Sequence, residues 1–155
     1  MKYFSIRELT KSETAVRKGI NNAPDKIITQ RLTDLVENVL DPLREKWGAP
    51  IRVSSGYRCP KLNKAVGGAT GSQHMLGEAA DITTLSDSRD DNMKLLKLLL
   101  ESGITFDQVI SEDVDSKNRP NWIHVSFTKR HANRKKKTTM KKIGGRTTYI
   151  SGIKL

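Results

Sequence analysis

Between Pro24 and Trp47 the apolar residues Ile27, Ile28, Leu32, Leu35, Val36, Val39, Leu40 and Leu43 recur at spacings of three and four, and directly afterwards "IRVSS" (51–55) switches to strict alternation. The first period belongs to a helix with one buried stripe and the second to a strand. A helix with a single apolar face must cover another element, so this switch of period already demands a helix layer packed on a sheet. Pro24 suits the first turn of the helix, and Gly48-Ala49-Pro50 closes it.

The rest of the chain supplies the sheet. "GYRCPKLNKAVGGATGS" reads as a long glycine-containing connection with a short helix from Pro60 to Val66. "AADITT" predicts a second strand, "DNMKLLKLLLESG" a second amphipathic helix closed by Gly103, and "FDQVI" a third strand. After the turn-rich "DVDSKNRPN" comes "WIHVSF" (122–127), close enough to "FDQVI" for the two to form a hairpin. The expected fold class is α+β, a small sheet containing antiparallel strands with helices packed around it. In "WIHVSF", Ile123, Val125 and Phe127 share one face; Trp122, His124 and Ser126 share the other.

Charge divides the chain. All 17 acidic residues lie before residue 129 with 18 of the 28 basic ones, leaving about +1 there and +10 over residues 129–155. A domain over residues 1–128 followed by a basic C-terminal tail over 129–155 is the expected organisation. Such a tail suits an anionic polymer of the cell envelope. Nucleic acid is a poorer partner, because the near-neutral body offers no basic, aromatic-bearing surface. Cys59 is the only cysteine, which excludes an internal disulfide and a cysteine-based zinc site. The N-terminus meets charge within seven residues and no segment approaches the apolar length of a membrane span. The expectation is a monomer, cytoplasmic on synthesis, that reaches another compartment only if released.

Three histidines are present: His74, His124 and His131, the last within the basic segment. A catalytic zinc site takes three ligands from His and carboxylates and leaves one position open. His74, Asp81 and His124 would supply that set. The residues alone leave a second reading open, in which they are a loop histidine, a strand-end cap and a half-buried sheet residue.

The words around them are more specific. "SGYRCPKLNKAVGGATGSQHMLGEAAD" resembles the zinc D-alanyl-D-alanine carboxypeptidase family, which includes phage L-alanyl-D-glutamate endopeptidase endolysins and shares its fold with the hedgehog signalling domain. Ser72, His74, Gly77, Ala79 and Asp81 match the family's Ser-x-His-x-x-Gly-x-Ala-x-Asp; Ser55, Gly56, Tyr57 and Arg58 match its upstream Ser-Gly-Tyr-Arg; Trp122, His124 and Ser126 match its Trp-x-His-x-Ser. The resemblance covers residues 3–128 and implies Zn2+ on His74, Asp81 and His124, acting on peptidoglycan stem peptides. It implies either a carboxypeptidase removing terminal D-alanine or an endopeptidase of the phage lysis type.

The resemblance also implies Arg58 as an anchor for a substrate carboxylate or carbonyl, with Ser72 assisting by hydrogen bonding. Gly56, Gly67 and Gly68 serve backbone conformation. Peptide hydrolysis further needs a general base. Many relatives carry Glu or Asp three residues before the second histidine; here that place is Asn121, whose amide cannot take a proton. Glu112, Asp113 and Asp115 are the nearest carboxylates. Glu112 is the expected base, because it closes "FDQVISE" and alternation puts it on one face with Gln108 and Ile110, beside His124 if the hairpin pairs in register. Asn121 also motivates an alternative, a metal-stabilised cell-wall or protein-binding module of the same fold without catalysis.

Overall fold

The computed structural model describes residues 1–155. Helices α1 (Ile6–Thr10) and α2 (Glu13–Lys18) lead into α3 (Lys26–Leu35), which runs through a π-helical segment at Val36–Leu40 into α4 (Asp41–Trp47). Strand β1 (Ile51–Ser55), α5 (Pro60–Ala65), a 3-10 turn at Gln73–Leu76, β2 (Ala79–Thr84) and α6 (Arg89–Glu101) follow. The chain ends in β3 (Gln108–Glu112), β4 (Trp122–Ser126), β5 (Lys136–Ile143) and β6 (Arg146–Ser151).

The long helix begins at Lys26, two residues beyond Pro24, because the Asp25 side chain accepts from the Ile28 backbone N–H and takes the N-cap position. That phase buries Ile28 and leaves Ile27 63% exposed, so Ile27 is not part of the stripe. The helix also widens. Pro42, lacking an N–H, cannot continue the normal ladder, and just before it the Asp41 N–H bonds Val36 O, five residues back. Gly48 at φ 75° ends it in the left-handed conformation that glycine adopts without strain.

One six-stranded sheet runs in the order β1-β2-β4-β3-β5-β6, antiparallel throughout except for the parallel β3–β5 pair. The expected α+β class and the β3–β4 hairpin are both present. Leu32, Leu35, Val39, Leu40 and Leu43 join Leu95, Leu96 and Leu99 from α6 in a core with Ile82, Val109, Ile123 and Val125 from the sheet. Those strand residues alternate with Asp81, Ile110, Glu112 and His124, which therefore occupy the other face. Helices thus cover one side of the sheet, and the polar residues stand on the side spanned by the connection between β1 and β2.

Residues 129–155, set apart by charge, are not set apart in space. β5 pairs with β3 along Gln108–Ser111, and β6 pairs with β5. Before the hairpin, Arg130 bonds the fully buried Glu78 at 2.7 and 2.9 Å, and Arg134 bonds the fully buried Asp107 at 2.7 and 3.1 Å. The boundary at residue 128 therefore does not divide two structural units. The lysines of "KKTTMKKI" conceal an interior strand in which Thr138 and Met140 are buried while the basic side chains reach toward water.

Candidate metal centre

Asp81 and His124 are direct cross-strand partners in the β2–β4 register, so their side chains leave the sheet on the same face. His124 Nδ1 lies 3.1 Å from Asp81 Oδ1. His74 comes from the 3-10 turn above the sheet, with Nε2 3.3 Å from the same oxygen and its ring edge-on to His124 at a centroid separation of 5.0 Å. The three ligand atoms all lie within 4.8 Å of one another. His131 is exposed and bonds only the neighbouring Ala132 carbonyl.

Four contacts hold His74 in place. The Ser72 hydroxyl caps the turn by accepting from the His74 N–H at 3.2 Å. Gly77 ends it at φ 71°. Gln73 donates to Asp107 at 2.8 Å, tying the turn to the start of β3. His74 Nδ1 donates to the Gly56 carbonyl at 2.7 Å. A carbonyl can only accept, so Nδ1 carries a proton and Nε2 is the ring nitrogen turned to Asp81.

That arrangement is the test of whether a metal fits. Nε2 of His74 and Nδ1 of His124 both face Asp81 Oδ1, at 3.3 and 3.1 Å, with His74 only 2% exposed, so one cation shared by the three groups offsets the carboxylate charge where water cannot. Bonds of roughly 2.0–2.1 Å to a tetrahedral zinc place ligand atoms about 3.3 Å apart. The observed 3.1 and 3.3 Å separations match that edge. Burial would raise the Asp81 carboxyl, but the adjoining His74 and His124 outweigh it and hold the group well below the usual carboxylate range. An N2O set of two imidazoles and an ionised carboxylate is one that catalytic zinc takes.

Glu112 pairs with Trp122, one step along the strand from His124, and is 7% exposed. Burial pushes its carboxyl up to about 7; His124 opposes the rise, while Asp81 and Asp113 add to it. The other nearby carboxylates are committed. Asp115 takes Arg119 at 2.6 and 2.9 Å and two turn N–H groups, and Asp113 accepts from Asn121 at 3.1 Å. Asn121 closes the turn, its N–H donating to Glu112 O and its carbonyl accepting from Asn92.

Arg58 donates its backbone N–H to His74 O, which fixes it beside the centre. Its Nε is buried without a partner and its single side-chain contact is a long 3.5 Å to Ser72. Asn22 bonds the backbone on both sides of it, at Tyr57 O and Cys59 N. Arg58 also lines a groove of about 700 Å³ between α1, α2 and the outer edge of β1. Gly56 belongs to the same frame: a Cβ there would stand 2.1 Å from Leu9 O, so only glycine lets β1 pass under α1 and turn its carbonyl to His74. Asn22, Gln73 and Asp107 carry no sequence signal of this role, since each acts across more than thirty residues.

A family profile for peptidase M15 matches residues 2–126. The chain belongs to the peptidase M15 family. No curated protein matches the chain significantly. The M15 match covers β2, β4, the His74 turn and Glu112, and stops before the C-terminal hairpin. As an M15 peptidase the protein is a metallopeptidase, from a family that depends on zinc.

Proposed function

We propose that this M15 peptidase hydrolyses the peptide stems of bacterial peptidoglycan, at a D-Ala-D-Ala terminus or at an L-Ala-D-Glu bond. The observation that carries the reading is the convergence of His74 Nε2, Asp81 Oδ1 and His124 Nδ1 beside one buried carboxylate, Glu112, with no cation paired to it. His74, Asp81 and His124 would hold the zinc. Bound there, zinc would polarise the scissile carbonyl and make water nucleophilic near neutral pH.

The chain's own residues do the rest. Gly56 orients His74 by holding its Nδ1 proton. Glu112, raised toward neutrality, takes the proton of the attacking water and returns it to the leaving amine. The free face of the Arg58 guanidinium anchors a substrate carboxylate or carbonyl, with Ser72 steadying it from the turn. Exposed Lys135, Lys136, Lys137, Lys142 and Arg146 on and before the hairpin give an anionic wall polymer a surface to adsorb on.

Purified sacculi from Gram-negative and Gram-positive cells, digested with zinc-loaded protein, test the reading. Mass spectrometry of the products should show loss of terminal D-alanine or cleavage after L-alanine, abolished by chelator. Intact sacculi and intact soluble stem peptides would instead favour the binding-module reading that Asn121 motivates.

A further inference from the structure

The hairpin beyond the M15 match is not only an extension of the sheet. Glu112 pairs with Trp122 on one side. On the other side Ser111 pairs with Thr139, so Met140 is next in line with Glu112, and Val114 N donates to Met140 O as the alignment continues. Met140 pairs with Tyr149. Trp122, Glu112, Met140 and Tyr149 therefore form one transverse row on the face that carries the metal ligands, next to the row of Asp81, His124, Ile110, Thr138 and Ser151.

Met140 is buried at 7% exposure, whereas Tyr149 is 62% exposed. The tyrosine ring thus stands up from the sheet on the metal side and is no part of the core. Partial burial raises its phenol, and the negative charges of Glu112 and Asp81 raise it further. Asp81 stands on β2, four strands from β6. The register places Tyr149 on the β6 side of the centre, in the row of Glu112. Arg58 approaches the centre from the β1 side, so the two residues flank it.

We propose that Tyr149 is a substrate-contacting residue, whose phenol O–H donates to a carbonyl or carboxylate of the stem peptide on the side of the metal centre opposite Arg58. This rests on the peptidoglycan reading above. Strands spaced about 4.8 Å apart put β2 and β6 roughly 19 Å apart, about the length of five to six extended residues. A peptide of stem length can reach from the strand of Asp81 to the strand of Tyr149; a dipeptide cannot.

The test uses zinc-loaded full-length protein and muramoyl pentapeptide, with binding measured calorimetrically in a Glu112→Gln background and hydrolysis measured with Glu112 intact. Tyr149→Phe, which keeps the ring, should raise Kd and KM about tenfold, the size of one lost hydrogen bond, with zinc content and melting temperature unchanged. Thr148→Val, on the opposite face of the hairpin, should match the parent. Parent-like binding and turnover in Tyr149→Phe would overturn the proposal, as would an equal loss in Thr148→Val. Failure of the parent protein to bind or cleave the pentapeptide would overturn the peptidoglycan reading itself.

Discussion

The Gly56 carbonyl accepts the His74 Nδ1 proton at 2.7 Å, joining the end of β1 to the turn that carries the first histidine. This bond decides which ring nitrogen is free for a metal, and it depends on a residue without a side chain. Gly56→Ala would drive a Cβ into Leu9 O and move the carbonyl. It should weaken zinc affinity by about ten- to a hundredfold, as loss of an orienting partner does. Competition with a chromogenic chelator measures it, and unchanged affinity in a folded variant would separate Gly56 from the site.

Metal content should follow the geometry. His124→Ala removes one of three ligands and should abolish stoichiometric zinc, while His131→Ala should retain one zinc per chain. Elemental analysis of dialysed protein checks both. Equal loss in the two variants would break the assignment of ligands.

Glu112→Gln keeps size and hydrogen bonding but removes the base, so turnover should fall by roughly two to four orders of magnitude with zinc content preserved. The base works ionised, so activity should rise with pH through the Glu112 pKa. Without metal that carboxyl sits at about 7. A bound cation favours the carboxylate, so the acidic limb of kcat/KM should fall below this value in the zinc enzyme and disappear in the variant. NMR titration of the Glu112 carboxyl should show the same downward move on zinc loading; an upward move would refute it.

Deleting residues 136–155 should destabilise the whole protein. The cut exposes the β3 edge and removes the buried Thr138 and Met140. A loss of roughly 3–5 kcal/mol is expected, which lowers the melting temperature by about 10 °C. A truncated protein melting like the full chain would return the hairpin to the status of an appendage.

Acid should act through Asp107. Burial would raise its carboxyl, but Arg134 and Gln73 bring it down to about 2. A depressed carboxyl stabilises the fold above its unfolded pKa near 3.9, and that contribution, about 2–3 kcal/mol, disappears as pH falls from about 4 to 2. In Asp107→Asn the slope of stability against pH over that window should flatten. An unaltered slope would assign acid sensitivity elsewhere.

Much of the fold is legible locally because periodicity is a local property. The three-four spacing from Ile28 to Leu43 marks a helix whatever it packs against, and alternation in "WIHVSF" separates Ile123 and Val125 from His124 before any partner is known. Parity likewise puts Glu112 on one face with Ile110. That His74, Asp81 and His124 come together is legible for a different reason: several fixed residues in order narrow the options more than any single spacing does.

What the sequence by itself determined, then, is which elements form and which face of each is polar. Pairing between distant segments was decided only by the tertiary structure. Nothing local encodes that Asp81 meets His124 43 residues away, that Gly56 rather than a side chain orients His74, or that Asp107 braces both the His74 turn and the hairpin. The C-terminal strands show the limit most plainly. Their lysines read as a solvated tail because charge is visible in sequence, whereas the open β3 edge that makes them strands exists only once β3 and β4 have paired.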